Sequence, residues 1–262
     1  MDRPAAPQAA LQRTFNVGSR FDAGAAIGGV LYKDVKHAIL AALAEGEWKP
    51  GEAIPPERKL IERFGVSIGT LRKAIDELVA ENIMIRHQGR GTYVATHRQE
   101  DHFFRFFRIV RQDGYREYPT VRLARFRRAR ADKEEAAALG LSIGDSVFRF
   151  TNVLALEGRA VMIDAITVPA ERFKTLTEKQ LRERPNTLYN FYQDAFGINI
   201  IRTEERLRAA LADEDDHELL GVPVGSALLK ILRVASSYQD VRIEYRVSRL
   251  DTADYEFALS QP

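Results

Sequence analysis

The sequence predicts an α+β protein of two domains. Its 262 residues are enough for two ordinary domains, and 45% of them are apolar, so each domain can bury a core. Apolar residues recur at helical spacing in the first third of the chain, whereas the remainder mixes strand-like alternating runs with short helical ones. Helices and strands that do not alternate regularly are typical of the α+β class.

The N-terminal domain is predicted to begin with helices. Residues 1–29 are rich in Ala, Gly and Pro and are expected to form a flexible tail. Apolar residues then recur at helical spacing in three segments, residues 31–45, 57–64 and 67–81. Ser67 is a good N-cap for the third helix, and Asn82 can adopt the left-handed conformation that ends it.

A hairpin is predicted directly after the third helix. The β-prone runs 83–87 and 92–95 flank the sequence Gln88-Gly89-Arg90-Gly91, which would form a basic, glycine-rich tip. Three helices followed by such a hairpin predict a winged helix-turn-helix. That architecture places its third helix in the major groove of DNA.

The C-terminal domain is predicted to follow a polar linker at residues 97–102. The spacing of Phe103, Phe106 and Val110 predicts a helix to about residue 112. Further strands are predicted at 119–131, 147–156, 160–168, 198–211, 226–238 and 241–250, with helices at 133–141, 187–197 and 213–221. No internal repeat of about 20–50 residues is visible in the sequence.

Charge and composition limit the partners. Net charge is only +2, but residues 1–131 are basic and residues 132–262 are acidic, so a polyanion is expected to bind the N-terminal half. The absence of cysteine excludes disulfides and thiolate metal sites, and the five histidines lack ligand spacing, so no metal and no cofactor is expected. Without a long apolar stretch or a signal peptide, we expect a soluble cytoplasmic protein with no membrane partner.

Several motifs connect these domains to a known family. Residues 31–96 contain "LYKDV", "PPERKLIERFGVS", "TLRKAIDELVAENI" and "QGRGTYV", and they resemble the winged-helix domain of GntR-family bacterial transcription regulators. The downstream motifs "LGLSIGD", "NTLYNFYQDAFG" and "HELLGVPVGSALLKILR" resemble the UTRA ligand-sensing domain of the HutC-type subfamily. The resemblance implies a DNA-binding domain at 30–96 and an effector-binding and dimerisation domain with a chorismate-lyase-like fold at 103–260.

Gly69 is unusual in the first turn of the third helix, because glycine costs about 1 kcal/mol there relative to alanine. The N-terminal end of a recognition helix points at base edges, and its free N–H groups suit a phosphate. We therefore expect Gly69 to let the helix backbone approach DNA closely. The alternative is that it packs against the preceding turn.

The resemblance implies further DNA contacts. Arg58 matches an arginine that grips a backbone phosphate, and Arg72 matches the basic position of the recognition helix, although it could instead pair with Asp76. Ile68 stands where relatives often have arginine and could contact a thymine methyl group. Pro56 replaces the usual serine, so the second helix is expected to start differently. The predicted DNA-binding residues are Arg58, Ser67, Ile68, Gly69, Thr70, Arg72, Lys73, Gln88, Gly89 and Arg90.

The basic run at 122–130 resembles a nucleic-acid patch, but it falls in the predicted first strand of the sensing domain. A solvated face or a dimer contact is therefore the favoured interpretation of that run.

The resemblance also suggests where an effector binds. Relatives that bind phosphosugars use two arginines, and the corresponding positions here are Asn152 and Leu154. We therefore expect an effector that is not a sugar phosphate and that carries a hydrogen-bond donor or a positive charge, facing Asp164 and Glu244. The alternative is that these two carboxylates make only structural hydrogen bonds or ion pairs. The predicted effector-binding residues are Asn152, Leu154, Asp164, Thr187, Glu244 and Leu250.

These expectations combine into a ligand-responsive transcription regulator without catalytic residues. It would be a repressor that binds an operator in double-stranded DNA as a homodimer and is released by a small-molecule effector. The alternative is a metabolite-binding protein or a chorismate-lyase-like enzyme with an attached DNA-binding arm. Salt-dependent, sequence-specific DNA binding discriminates between the two.

Overall fold

The computed structural model describes residues 31–97, 106–184 and 187–259. The predicted tail lies outside these ranges, as does the predicted linker apart from His97. Within them, no helix is long and apolar enough to cross a membrane. The elements in chain order are α1 (Leu31–Ala44), α2 (Glu57–Phe64), α3 (Ile68–Ala80), β1 (Met84–His87), β2 (Gly91–Val94), β3 (Ile109–Arg111), β4 (Thr120–Arg130), α4 (Lys133–Leu139), β5 (Ser146–Leu156), β6 (Arg159–Pro169), α5 (Glu178–Glu183), α6 (Leu188–Phe196), β7 (Arg202–Leu211), α7 (Glu214–Leu220), β8 (Ala227–Ser236), a 3₁₀ turn (Tyr238–Asp240), β9 (Arg242–Asp251) and β10 (Tyr255–Phe257).

The first three helices and the hairpin form the predicted winged helix-turn-helix. Local signals determine its boundaries: α2 starts after Pro56 without a side-chain cap, and Gly65 ends it in the left-handed conformation. Asn82 follows α3 with a φ of 55°, as its residue type predicts. The helices enclose a core in which Ile39, Leu71 and other large side chains are fully buried. This packing holds α3 rigidly against α1 and α2.

The C-terminal domain is built on a six-stranded antiparallel sheet of order β4-β5-β6-β9-β8-β7. Helices α5 and α6 pack on one face, around a core that includes Phe150, Phe173 and Tyr192. Helices α4 and α7 lie on the other face, where Leu139 packs against Tyr245 and Leu220 packs against Ile163. The strands β3 and β10 pair separately at one end of the domain.

The predicted helix ending near residue 112 is wrong. Phe106 is helical, but Ile109–Arg111 forms β3, paired with Tyr255–Phe257. Both Ile109 and Val110 are buried, so pairing with a segment far away in the sequence overrides the local helical spacing. Phe103 lies outside the described residues. The short helix α5 was not predicted, although Thr177 and Gln180 form a capping box at its start.

The sheet has an internal repeat of about 80 residues, which is longer than the 20–50 residues considered from the sequence. In each half of the sheet a strand leads to an aspartate-capped helix, and then to two adjacent strands. Asp132 and Asp213 provide the matching caps, each completed by an acidic residue in the first turn. The correspondence is confined mainly to caps, turns and apolar alternation, which is why inspection of the sequence did not reveal it. The repeats place β6 and β9 side by side at the centre of the sheet.

The two domains are in contact. Tyr238, from the turn between β8 and β9, is 7% exposed and belongs to the hydrophobic cluster of the winged helix. Its hydroxyl accepts a hydrogen bond of 2.8 Å from Asn199. Near the domain boundary, the backbone N–H of His97 donates to Gln193 on α6 over 3.1 Å. The winged helix is therefore in contact with the C-terminal domain through buried side chains.

Candidate functional site

The N-terminal end of α3 presents a small, exposed surface. The Ser67 hydroxyl accepts a hydrogen bond from the Thr70 backbone N–H over 3.2 Å and lies 2.9 Å from the Thr70 hydroxyl. Ile68 beside them is 48% exposed. The cap thus fixes the first turn and leaves an apolar side chain free to face a partner.

Among the described residues, nothing crowds the Cβ position of Gly69. A Cβ placed on it would meet only the Ser67 hydroxyl at 3.9 Å, which is an ordinary contact. The alternative that Gly69 packs against the preceding turn is therefore not supported. The space above this residue is available to an external molecule.

Arg72 does not pair with Asp76. Its Nε and Nη2 atoms lie 3.0 and 2.9 Å from Oε2 of Glu57, the first residue of α2. Asp76 instead accepts from Arg86 on β1 over 2.8 Å. These two ion pairs connect α3 to α2 and to the hairpin, and Lys36 of α1 pairs with Glu77 of α3 at 3.1 Å.

The other predicted DNA contacts lie on the surface of the same domain. Arg58 is 91% exposed and makes only a long contact of 3.4 Å with Glu62. The Lys73 ammonium lies 4.1 Å from the centre of the Tyr32 ring, a cation–π contact. The hairpin tip, Gln88 to Arg90, is exposed, and Gly89 has a φ of 71° that favours glycine. The surface is basic and accessible at all three places.

A cavity lies on the α5–α6 face of the large sheet, near the domain boundary. Its empty space, mouth included, is about 830 Å³. Aromatic and aliphatic side chains form most of the wall. A row of polar side chains runs across the four central strands. The lining residues include His97, Phe106, Phe107, Arg108, Val121, Asn152, Leu154, Met162, Asp164, Arg184, Thr187, Tyr189, Ile231, Arg233, Arg246, Ser248 and Phe257. Apolar walls with a few convergent polar groups are typical of small-molecule sites.

Four of the six predicted effector residues line this cavity: Asn152, Leu154, Asp164 and Thr187. Asn152 is 2% exposed, and its Oδ1 atom accepts no hydrogen bond in the described structure. A buried acceptor without a donor is costly, so a ligand that donates to Asn152 would remove that cost. The Thr187 hydroxyl already caps α6 by accepting from Asn190.

Glu244 and Leu250 do not line the cavity. Glu244 is fully buried and accepts hydrogen bonds from Tyr192 over 2.8 Å and Tyr189 over 3.2 Å. Burial, reinforced by the Glu244 charge, raises the pKa of Tyr192 well above its ordinary value, so that hydroxyl remains a donor. Leu250 is fully buried in an apolar cluster with Leu154. These two side chains support the wall from behind.

Asp164 is not free to bind a cation. Arg246 donates to it over 2.9 Å and the Ser248 hydroxyl over 2.5 Å. Burial alone would lower the pKa of Arg246, but the charges of Glu244 and Asp164 outweigh that effect and raise the pKa well above its ordinary value. The expected acidic binding site is thus a buried ion-pair network in which Asp164 and Glu244 share the charge of Arg246.

The cavity contains arginines that the alignment with relatives missed: Arg108, Arg184, Arg233 and Arg246. Arg246 and Arg233 are engaged by carboxylates, the latter by Glu205 at 2.7 Å. Arg184 donates to the Leu181 carbonyl, and no carboxylate among the described residues pairs with it. Burial lowers the pKa of Arg184, so an anion at this point would be stabilising. The two aligned positions lack arginine as the sequence shows, but other arginines line the cavity, so their absence at 152 and 154 does not exclude an anionic ligand.

The basic run of β4 is an exposed edge of the sheet. Arg125 pairs with Asp215 at 2.5 Å, and Arg128 donates to the Ser146 hydroxyl over 2.9 Å. Arg149, which lies close in sequence to Asn152, faces away from the cavity and pairs with Glu135 at 2.6 Å. These contacts favour the interpretation of the run as a solvated face over a nucleic-acid patch.

Comparison with known families agrees with this architecture. Residues 31–94 match the model of the bacterial regulatory proteins of the gntR family. Residues 115–256 match the UTRA domain, which by itself covers more than half of the chain.

Similar proteins carry regulatory names. A probable fructoselysine utilization operon transcriptional repressor of Escherichia coli is 24% identical over 80% of this chain and 86% of its own length. The mannosyl-D-glycerate transport/metabolism system repressor MngR of Escherichia coli is 28% identical, covering 87% and 95% respectively. The ligand-binding domain of a GntR-family regulator from Bordetella bronchiseptica is 30% identical with a TM-score of 0.56, covering 59% of this chain and 96% of that one. The chain therefore belongs to the GntR family of bacterial regulatory proteins, in the branch with a UTRA domain, and it is a ligand-responsive, DNA-binding transcription regulator rather than an enzyme.

Proposed function

We propose that this regulator is a repressor whose cavity binds a small anionic effector. The observation that carries the proposal is Arg184, a partly buried cation on the cavity wall that no carboxylate of the described residues neutralises. The assignment divides the chain into a tail at 1–29, a DNA-binding domain at 30–96, a linker at 97–102 and a sensing domain at 103–260. The DNA-binding residues are those of the exposed α3 end, Arg58 and the hairpin tip.

The cavity favours an effector with three features. A carboxylate or phosphate would pair with Arg184, because charge-assisted hydrogen bonds are the strong ones. A hydroxyl or amine would donate to the unpartnered Oδ1 of Asn152. An apolar or sugar-ring portion would cover Met162 and Ile231 on the floor. Sugar phosphates belong to this class, so the expectation that they are excluded is withdrawn. The carbohydrate-related names of the two bacterial relatives fit the same class.

We further propose that the protein acts as a homodimer on a palindromic operator. A single winged helix makes few base contacts, and dimers read two half-sites. Effector binding would change the affinity for the operator, which is a coupling free energy between two sites. The contacts of His97 support this coupling, since it lines the cavity and also bonds to Gln193 at the domain boundary.

The effector assignment is tested with Arg184→Ala. Sugar phosphates and sugar acids that raise the unfolding temperature of the wild type should bind this variant at least tenfold more weakly, since hydrogen bonds to charged groups contribute about 1.5–3 kcal/mol. Calorimetric titration measures the affinity, and operator binding without effector should be unchanged. Arg182→Ala is the matched control, because Arg182 lies close by but pairs outside the cavity with Glu178 at 2.6 Å. An anionic effector that binds both variants like the wild type would contradict the proposal.

A further inference from the structure

The pair between Arg72 and Glu57 occupies only one edge of the guanidinium. Glu57 accepts from Nε through both carboxylate oxygens, at 3.2 and 3.0 Å, and from Nη2 through one of them at 2.9 Å. Among the residues that the structure describes, Nη1 of Arg72 has no hydrogen-bond partner. The end formed by Nη1 and the second N–H of Nη2 is therefore available. Two parallel N–H groups of this kind match O6 and N7 of guanine.

Stability does not explain the pair. The side chains of Arg72 and Glu57 are 57% and 36% exposed, and exposed ion pairs contribute little to folding. The two helices are already held together by the fully buried side chains of Leu60 and Leu71. What the pair does change is the freedom of a long side chain at the DNA-facing end of α3.

The charge of Glu57 also has a cost for DNA binding in general. A carboxylate near the duplex repels phosphates, and an arginine neutralised by it contributes less to nonspecific affinity. Unpaired, Arg72 could turn to either a phosphate or a base. Held by its Nε edge, it presents its free end in one orientation. Such an arrangement favours discrimination over total affinity.

We propose that Glu57 is a positioning residue for sequence recognition, which holds Arg72 so that its free end reads a guanine instead of gripping a phosphate. The proposal rests on the proposed function, in which α3 is the helix that contacts the operator, and it adds that Arg72 reads a base. Glu57 itself makes no contact with the base. It acts through Arg72 alone and sets the preference at one base pair in each half-site.

The experiment uses the full chain and duplexes that the wild type selects from a random library. Fluorescence anisotropy measures the affinity of each variant for the selected duplex, for single base-pair substitutions of it and for a scrambled duplex. The variants are Glu57→Gln, Arg72→Ala, both together, and Glu62→Gln as the matched control. Glu62 also lies on α2 and also pairs with an arginine, Arg58, but this pair is not on the recognition helix. Circular dichroism and thermal unfolding confirm that each variant folds, as expected for exposed side chains.

Arg72→Ala should lose about tenfold discrimination at one base pair of each half-site. Glu57→Gln should lose most of that same discrimination while its affinity for the scrambled duplex stays equal or rises. The double variant should discriminate no worse than Arg72→Ala. Glu62→Gln should change the affinities for the selected and the scrambled duplex by the same factor. Its preference at the base pair in question should stay as in the wild type.

Two outcomes would overturn the inference. If Glu57→Gln behaves like Glu62→Gln and keeps its discrimination, Glu57 affects DNA binding only through its negative charge and does not position Arg72. Arg72 could still read the base in that case. If Arg72→Ala keeps the wild-type preference, the base-reading role of Arg72 fails, and the positioning role of Glu57 fails with it.

Discussion

At the scale of single residues, we expect that Gly69 lowers the stability of the folded protein but favours DNA binding. Its Cβ position is open and its backbone is helical, so alanine fits without strain. Gly69→Ala should therefore stabilise the folded protein by up to about 1 kcal/mol, because glycine is the poorer helix former. The same methyl group would stand between the first turn of α3 and the DNA. Urea unfolding should show the gain in stability, and anisotropy titration should show weaker operator binding.

Ala80→Gly, at the other end of α3, provides the control for the helix-propensity effect away from the DNA. It should lower stability without a specific effect on operator affinity. An increase in stability of Gly69→Ala with operator affinity unchanged would show that close approach to DNA is not the reason for this glycine.

At the scale of elements, α2 and the hairpin tip each present an exposed arginine. Arg58 is almost fully exposed, and Arg90 at the hairpin tip forms no ion pair with the described residues. Arg58→Ala and Arg90→Ala should each weaken binding to operator and to unrelated DNA. Loss of one phosphate contact should also reduce the slope of log affinity against log salt by about 1. Titrations at several salt concentrations measure that slope.

Arg130→Ala is the control for these charge changes. Arg130 lies on β4 in the sensing domain and donates to the Gly144 carbonyl over 3.1 Å. Its removal should leave the salt dependence of DNA binding as in the wild type. A slope that is the same for all three variants would argue against phosphate contacts by α2 and the hairpin. If Arg90→Ala lowers affinity for the operator alone, the hairpin tip reads sequence and does not simply grip the backbone.

At the scale of the whole molecule, Tyr238 couples the stability of the two domains. It belongs to the C-terminal domain but fills a position in the winged-helix core, next to α1. Tyr238→Ala should destabilise the winged helix by about 3 kcal/mol, which is typical of removing a buried aromatic ring. Hydrogen exchange should then become faster in α1 while α6 remains protected.

Tyr238→Phe keeps the ring and removes only the hydrogen bond from Asn199. Its cost should be smaller, about 1 kcal/mol, because one buried amide loses its partner. Unchanged exchange in α1 of Tyr238→Ala would mean that the contact between the domains contributes nothing to the stability of the DNA-binding unit.

The assembly is the second prediction at this scale. The full chain should be a dimer in solution without DNA, since two winged helices are needed to read two half-sites tightly. Light scattering at micromolar concentration should give twice the mass of one chain. Addition of an effector should leave this mass unchanged, because the cavity lies within a single chain. A monomer at that concentration would contradict the prediction.

Local physical chemistry allowed the sequence by itself to determine most of the elements and the class of the protein. Caps such as Ser67, left-handed ends such as Gly65 and Asn82, and apolar spacing act within a few residues, so they can be recognised without tertiary structure. The same holds for the exposed first turn of α3 and the basic hairpin tip. These residues face outward, and their function depends little on the packing around them.

Tertiary structure alone decided the effector cavity. Four lining residues were found from sequence, but Glu244 proved to be enclosed by two tyrosines, and Arg184 was missed because it comes from a connection beside a helix and not from an aligned strand. The pairing of β3 with β10 likewise joins distant segments. Which charge is neutralised and which is left for a ligand depends on neighbours brought together by folding. Spacing along the chain carries little information about such neighbours.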